Sequence, residues 1–276
     1  MASFHWKAFN KTFYHNCKTL TMKFASGVSG LTALELVIAV SLSAVVVSSA
    51  YKVHLNFSKA ASRENDKALL QRDLMSVCDM MEKDIRMAGL GLPGNGIDLR
   101  LSDTSSDELT LFVNKNQLRT RLVENASFSD TRILVESAGN AAWGKWVCVE
   151  GGSIIFREIS RIALSLSSNP DTIHLTTPLN AGPFSAASNV YSADRISYYI
   201  KSADERVLYR KFNSKESGIS MIIDSLAVIP KDNKGTSLSS GTAAQVISAV
   251  IGGYIGQGND LVFLAESTEV NIRNVN

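Results

Sequence analysis

The stretch from Leu31 to Ala50 constrains this chain more than any other, because its 20 residues include a single ionisable side chain, Glu35. A helix of that length rises roughly 30 Å, about the thickness of the hydrocarbon core of a bilayer. A carboxylate inside such a helix costs up to roughly 3 kcal/mol, which indicates a function and a partner for the charge. The run therefore predicts a membrane-spanning helix with a functional acid near its start.

The segment before this helix is basic. Residues 1–30 contain Lys7, Lys11, Lys18 and Lys23 and neither Asp nor Glu. A positive segment of this kind stays in the cytoplasm, so we expect the rest of the chain on the other side of the membrane. Removal of these four lysines from the 28 basic residues leaves 24 against 26 acidic residues, which gives no electrostatic reason to expect nucleic-acid binding. Met22 is an alternative start that would shorten the leader.

The residues around Gly30 resemble the processing motif of type IV prepilins, in which a membrane peptidase cuts after the Gly and methylates the new N-terminus. Gly30, Thr32 and Glu35 match that motif, whereas Leu31 and Ala33 stand where the family usually has Phe and Leu. The resemblance implies cleavage between Gly30 and Leu31 and methylation of Leu31. The new α-amino group is largely positive at neutral pH. Its pairing with Glu35, in the same chain or in a neighbouring subunit, could offset the cost of burying both charges.

The helix is expected to continue past Ala50, because neither Pro nor Gly occurs from Leu31 to Ala88. Two charged pairs at i, i+4, Asp79 with Lys83 and Glu82 with Arg86, are predicted on a solvated face. The opposite face repeats apolar residues at steps of three and four, which indicates an amphipathic helix packed on the rest of the protein; these residues are Leu70, Leu74, Val77, Cys78, Met81, Ile85 and Ala88. Gly89 and the Gly- and Pro-rich residues after it end the helix.

Two further segments narrow the resemblance. Met81 to Gly89 is similar to the stem end of PilW/PulJ-type minor pilins, and 196–199 followed by 208–210 is similar to a hairpin of the same proteins. The resemblance implies a lollipop-shaped α+β protein with a long N-terminal helix and an antiparallel β-sheet head. The domains expected are a leader at 1–30, removed on processing, a helix at 31–88, and a β-rich periplasmic head at 89–276. Within the helix, 31–50 would span the membrane and 51–88 would form the amphipathic stem.

The head is predicted as β-structure from alternating apolar and polar residues. The strands expected are 108–113, 131–136, 145–150, 153–157, 172–177, 195–201, 206–212, 221–229, 261–265 and 270–273. Gly151 and Gly152 indicate a tight hairpin, and 202–205 a second short turn. The Ser- and Gly-rich stretches 180–188, 231–241 and 252–259 are predicted loops, and 245–251 fits a strand or a short helix. An antiparallel sheet packed on the second half of the helix is the expected arrangement.

Cys78 and Cys148 are the cysteines left after Cys17 departs with the leader. Their domain is expected in an oxidising compartment, so a disulfide between them and two buried free thiols both fit the sequence. Trp143 and Trp146 likewise fit either a contact surface or core packing.

The sequence contains no set of residues that indicates catalysis, a cofactor or a metal. His54 and His174 are isolated from one another, and residues 89–94 follow a helix instead of a strand, which argues against a dinucleotide-binding loop. Asp103, Asp107 and Glu108 do not have the spacing of a calcium loop and are better read as a solvated turn. We therefore expect a structural protein and not an enzyme.

The resemblance implies a minor pilin of a type IV pilus, inserted in the inner membrane by one pass and then incorporated in the pilus at the cell surface. The implied partners are a prepilin peptidase/methylase, other minor pilins, the major pilin, an inner-membrane assembly platform and membrane lipid. The same features fit a minor pseudopilin of a type II secretion system. Motility, adhesion and DNA uptake are not distinguished by the sequence, nor is a position at the tip or along the shaft.

Two interpretations of other classes remain. An exported soluble enzyme or binding module could carry a signal peptide cleaved after Ala50, where Ser48, Ser49 and Ala50 supply small residues. Glu35 within the apolar run and the helical pattern beyond Ala50 argue against it. An uncleaved membrane-anchored sensor is the third interpretation.

Overall fold

The computed structural model describes residues 32–101, 107–139, 142–165, 170–201, 207–220, 223–241, 244–255 and 262–272. The chain divides into two units, residues 1–62 and residues 63–276. Helix α1 (Ala33–Met87) is a single element of 55 residues that belongs to both. This confirms the predicted long N-terminal helix. Gly30 and Leu31, like Asp103, lie outside the described residues.

The second unit combines the rest of helix α1 with β-strands, and every strand pairing among its described residues is antiparallel. The predicted α+β class is therefore confirmed. The strands are β1 (Ile97–Arg100), β2 (Glu108–Val113), β3 (Arg119–Arg121), β4 (Arg132–Val135), β5 (Trp146–Glu150), β6 (Ile154–Ala163), β7 (Asp171–Leu175), β8 (Asn189–Ile200), β9 (Leu208–Phe212), β10 (Lys215–Ser220), β11 (Ile223–Lys231), β12 (Val246–Ile255) and β13 (Val262–Asn271).

One hydrophobic core contains the second half of helix α1. Its apolar face packs with residues of β1, β2, β8 and β9, and with the separate sheet β11-β12-β13. All seven residues of the predicted apolar face, Leu70, Leu74, Val77, Cys78, Met81, Ile85 and Ala88, are buried. The 3.6-residue periodicity thus identified the packed face correctly.

A second core lies within a ring of strands. β3, the first half of β8, β5, β6, β7 and β4 pair in succession. A bridge between Leu122 and Val135 joins β4 back to the chain that follows β3. The amide of Val123 also donates to the carbonyl of Leu134 at 2.9 Å. The ring closes around its own apolar residues, among them Ile133, Val147, Val149, Ile173, Leu179, Phe184 and Val190.

Most predicted strands are found with boundaries shifted by a few residues, and the exceptions have physical reasons. β1, β3 and β10 are not among the predicted strands; β3 has only three residues and β10 is largely polar. Residues 262–265 and 270–271, which come from two separate predicted strands, belong to one strand, β13. The predicted loop 252–259 is wrong at its start, because β12 runs through Gly252 to Ile255. A Cβ at Gly252 would lie 2.4 Å from the ring of Phe263, so this glycine makes room for an aromatic ring.

Helix α1 ends where two backbones cross. Gly89 has a φ of +71° and its amide donates to the carbonyl of Phe112 at 2.9 Å. Gly96 has a φ of +63°, and a Cβ there would lie 2.5 Å from the nitrogen of Gly89. Glycine is required at this crossing, both for the left-handed conformation and for the close approach.

Candidate functional site

The start of helix α1 is a reciprocal cap built from two residues of the processing-like motif. The amide of Glu35 donates to Oγ1 of Thr32 at 3.4 Å, and Oε2 of Glu35 accepts from the amide of Thr32 at 3.0 Å and from its Oγ1 at 3.1 Å. This is a capping box, in which a Thr before the helix and a Glu three residues later satisfy each other's backbone amides. The Glu carboxylate also lies at the positive end of the helix dipole.

The first part of the helix, from Leu36 to Ala50, has no charged residue and is exposed on every side. Leu34 is 70% exposed and Val47 is 66% exposed. An 18-residue window of helix α1 has a mean hydropathy of 2.1, and none of that window is buried in the protein. By length and composition this helix could span a membrane, and it is the one such helix in the described part of the chain.

Three serines of this stretch direct their hydroxyls to the helix itself. Ser41 donates its hydroxyl to the carbonyl of Ile38 at 2.9 Å, Ser43 to that of Ala39 at 2.7 Å, and Ser49 to that of Val45 at 2.8 Å. Each hydroxyl is therefore satisfied within the helix. An apolar surrounding requires this, because it offers no water to hydrogen-bond.

The helix crosses Ala50 without interruption. It continues through Tyr51, Val53 and Phe57, and Phe57 is 71% exposed. A conventional signal peptidase would have to cut within this helix to release a chain starting at Tyr51. The apolar exposure thus extends beyond the 20 residues that a bilayer requires.

The second half of the helix carries a buried charge that the sequence pattern assigned to no partner. Asp84 is 5% exposed, and its Oδ2 accepts from the hydroxyl of Tyr198 at 2.6 Å and from Nε of Arg210 at 2.8 Å. Burial, together with the bond to Asp84, raises the pKa of the Tyr198 hydroxyl. Burial lowers the pKa of Arg210, but the bond to Asp84 outweighs it and the pKa is raised. This cluster, called here the Asp84 cluster, ties the helix to strands β8 and β9.

Of the two ion pairs predicted on the solvated face of the same helix, one is found. Arg86 pairs with Glu82 at 2.5 Å, whereas the salt bridges of the described residues do not include Asp79 with Lys83. Exposed pairs of this kind contribute little to stability. The helix is therefore held by its apolar face and by the Asp84 cluster.

Cys78 and Cys148 are buried free thiols and form no disulfide with each other. Of the two alternatives that the sequence left open, the structure therefore has the pair of free thiols. Burial, and to a smaller extent the charges of Glu266, Asp79 and Glu82, raise the pKa of Cys78 to about 11. Burial also raises the pKa of Cys148. Raised pKa values disfavour the thiolate, which is the reactive form, so neither thiol has the character of a nucleophile.

The other residues that the sequence analysis considered for binding or metal coordination do not form a site. Some of them contact structural partners, and the two histidines lie on separate elements. Oδ2 of Asp107 accepts from the amide of Val228 at 2.7 Å, and Glu108 pairs with Arg195 at 3.2 Å. Trp143 donates to the carbonyl of Ala138 at 2.5 Å and packs on the ring core. His54 is exposed on helix α1 and His174 lies half-buried in β7. Within the described ranges no group of three His, Cys, Asp or Glu side chains could hold a metal ion.

The fold and this site define the class of protein: an α+β chain with one long, apolar N-terminal helix that could span a membrane, followed by an antiparallel β-sheet head. Comparison with models of known protein families, with curated proteins and with solved structures finds no match.

Proposed function

We propose that this protein is a minor pilin of a type IV pilus, of the PilW/PulJ kind. One observation carries the proposal: helix α1 begins with the Thr32–Glu35 cap, two residues after Gly30 in the sequence, and runs unbroken through Ala50 to Met87. A single helix thus joins the processing-like motif to the folded domain. A membrane anchor and a fibre subunit both need that continuity.

The exposed apolar half of helix α1 supports assembly as well as anchoring. Apolar surface in contact with water is costly, at roughly 25 cal/mol per Å², so these residues need lipid or other helices around them. Lipid serves the subunit before assembly, and helices of neighbouring pilins serve it in the fibre. Exposed apolar residues beyond Ala50, such as Val53 and Phe57, favour packing with other helices.

Glu35 has a defined role at each stage of this proposal. Before assembly its carboxylate is satisfied by Thr32, which lowers the cost of placing it in an apolar surrounding. After cleavage between Gly30 and Leu31, the same carboxylate pairs with a methylated α-amino group, its own or that of a neighbouring subunit. The processing enzyme is a prepilin peptidase/methylase, and the head lies in the periplasm until the subunit enters the fibre.

The experiment that tests the proposal is N-terminal sequencing and intact-mass analysis of the protein from membranes and sheared pili. We expect a chain that starts at N-methyl-Leu31. The substitution Gly30→Val should block processing and leave the unprocessed mass in membranes, whereas Gly27→Val, a matched change in the same leader, should not. A soluble chain that starts at Tyr51, or an unprocessed chain in wild-type cells, would refute the proposal.

A second measurement separates the two machines that share these features. The protein should be found in sheared surface fibres if it belongs to a type IV pilus, and deletion of its gene should reduce piliation. Loss of a secreted enzyme from the medium with normal piliation would instead assign it to a type II secretion system as a minor pseudopilin.

A further inference from the structure

The head contains a cleft of about 510 Å³ that helix α1 does not line. Its lining includes residues 93–98 and Arg100, the first half of β6, and Thr176 and Thr177. Its volume falls within the roughly 300–1,000 Å³ typical of sites for small ligands. The cleft is separate from the membrane-length helix and has no part in the function proposed above.

Three aromatic rings form the floor of this cleft. The ring of Phe156 stacks on that of Phe112 with centroids 3.9 Å apart and planes 7° apart, and Trp146 meets Phe112 edge-on at 5.5 Å. Phe112 is buried, whereas Trp146 and Phe156 are half-buried. The two outer rings therefore present an apolar surface inside the cleft. Stacked and edge-to-face contacts hold that surface rigid.

Arg195 is fixed beside the aromatic floor. Its guanidinium lies 5.1 Å from the centroid of Trp146, its Nη2 contacts Oε1 of Glu108 at 3.2 Å, and its Nε donates to Oγ of Ser197 at 3.0 Å. Held on three sides, this side chain loses little conformational freedom when a ligand binds. Its remaining N–H groups are donors for a ligand in the cleft.

The rim supplies acceptors and hydroxyls. Asp98, Thr176 and Thr177 are exposed and Glu158 is half-buried. The side chains of these four residues have no hydrogen-bond or ion-pair partner within the ranges that the structure describes. The cleft thus offers carboxylate acceptors, hydroxyls and arginine donors around an aromatic floor.

The formal charges of the cleft and of the acid that contacts Arg195 cancel, with three arginines and three carboxylates. Arg100, Arg157 and Arg195 are offset by Asp98 and Glu158 in the lining and by Glu108, which contacts Arg195. A phosphate or nucleic-acid site would need an excess of cations. An aliphatic ligand would bury the polar rim without replacing its hydrogen bonds to water, which is unfavourable.

We propose that this cleft binds a saccharide. A sugar ring has an apolar C–H face that packs on an aromatic ring, and hydroxyls around its edge that both donate and accept hydrogen bonds. Asp98 and Glu158 would accept from these hydroxyls, and Arg100 and Arg195 would donate to them. Trp146 or Phe156 would pack against the ring face.

The test uses the intact mature chain in micelles of lauryldimethylamine oxide, a detergent without a sugar headgroup that could compete. A printed array of neutral and sialylated oligosaccharides identifies a binding glycan. Its affinity is then measured in solution by the fluorescence of Trp146, after Trp143→Phe removes the other tryptophan outside the leader. We expect binding of a neutral oligosaccharide with a change in Trp146 emission.

The double substitution Asp98→Asn with Glu158→Gln should weaken that binding at least tenfold, because both side chains keep their shape but lose their charge. The control Glu124→Gln changes an exposed acid outside the cleft and should leave the affinity unchanged. Thermal unfolding of each variant checks that the head is folded. No binding to any glycan, or equal binding by the double variant, overturns the proposal. If the double variant binds the glycan as tightly as the wild type but is not incorporated in fibres, the cleft is a contact between subunits and the proposal is likewise overturned.

Discussion

Asp84→Ala tests whether the Asp84 cluster holds the second half of helix α1 to the head. The carboxylate is buried and has two partners on other elements, Tyr198 at 2.6 Å and Arg210 at 2.8 Å. Removal of Asp84 leaves a fully buried hydroxyl and a guanidinium without their acceptor. Both groups then lose a strong hydrogen bond, and the tyrosine has little access to water.

The expected loss can be bounded from the geometry. Breaking a buried ion pair costs roughly 3–5 kcal/mol. The side chain of Arg210 is 25% exposed and can turn toward water, so we expect a loss near the lower end, about 3 kcal/mol of unfolding free energy. At roughly 2–4 °C per kcal/mol for a domain of this size, the melting temperature should fall by about 6–12 °C. Tyr198→Phe keeps the ion pair and should cost about 1.5 kcal/mol.

The assay is urea unfolding of the mature chain in micelles, followed by tryptophan fluorescence and by hydrogen exchange of the helix amides from 63 to 87. Asp79→Ala is the matched control, because it removes an exposed acid from the same helix and should change stability by less than about 0.5 kcal/mol. In the Asp84→Ala variant the helix amides should exchange faster, whereas Asp79→Ala should leave them protected.

A double-mutant cycle shows whether the reasoning is right. Without Asp84, the Tyr198 hydroxyl has lost the acceptor of its 2.6 Å hydrogen bond and keeps only the longer contact from Nε of Arg210 at 3.2 Å, so Tyr198→Phe should then cost less than about 0.5 kcal/mol. If Tyr198→Phe costs as much without Asp84 as with it, the two side chains are not coupled. The cluster would then have no role in holding the helix.

Three further predictions concern other parts of the chain. Glu35→Ala should leave cleavage largely intact and impair assembly, because it removes the acid but not the scissile bond; normal fibre assembly in that variant would argue against the pairing. Gly96→Ala should destabilise the head by at least about 3 kcal/mol from backbone strain and collision, whereas Gly235→Ala, with a φ of +82° and open space, should cost only about 1 kcal/mol; equal melting temperatures would refute this. Burial and the bond to Glu150 raise the pKa of Tyr191 to about 12. The ordinary value is about 10, so the protonated hydroxyl of Tyr191 contributes its full share of the unfolding free energy below pH 10 and loses it as the pH rises through 12. Tyr191→Phe should therefore reduce the fall of the urea midpoint at alkaline pH.

The buried face of helix α1 could be predicted because a helix repeats its environment every 3.6 residues. The same period also contains a signal for Asp84. It lies three residues after Met81 and four before Ala88, both fully buried, and thus on the apolar face. Asp84 was nevertheless not among the residues predicted to be buried. A charged residue in register with an apolar face predicts a buried partner, and here that partner comes from two distant strands.

The strands of the head were predictable where one face is buried and the other is less so, as in β4 and β7. β10 has no such alternation because it is exposed over most of its length, and its pairing with β9 depends on backbone hydrogen bonds. Gly252 predicted a loop because glycine is common in loops. In this strand the glycine instead makes room for a packed aromatic ring.

Neither the ring of strands nor the cleft could be derived from local pattern. The ring depends on Leu122 meeting Val135, and the cleft on Phe112 of β2 stacking on Phe156 of β6. Such pairings join segments that are far apart in the sequence. Local periodicity does not show which segments meet, because this depends on the order of the strands in the sheet. Trp146 is a candidate contact residue in the sequence, but its partners Phe112 and Arg195 could not be predicted from it.

The two halves of helix α1 differ in what satisfies them, and this difference supports a subunit that is completed by others. From Leu70 onward the apolar residues lie on one face and the head covers them. From Leu36 to Ala50 the helix has no charged residue and is exposed on all sides, so one neighbouring domain could not cover this stretch. A surface of that kind is satisfied by lipid or by a bundle of similar helices around it. The proposed pilin function requires both surroundings for this helix: lipid before assembly, and a bundle of similar helices after it.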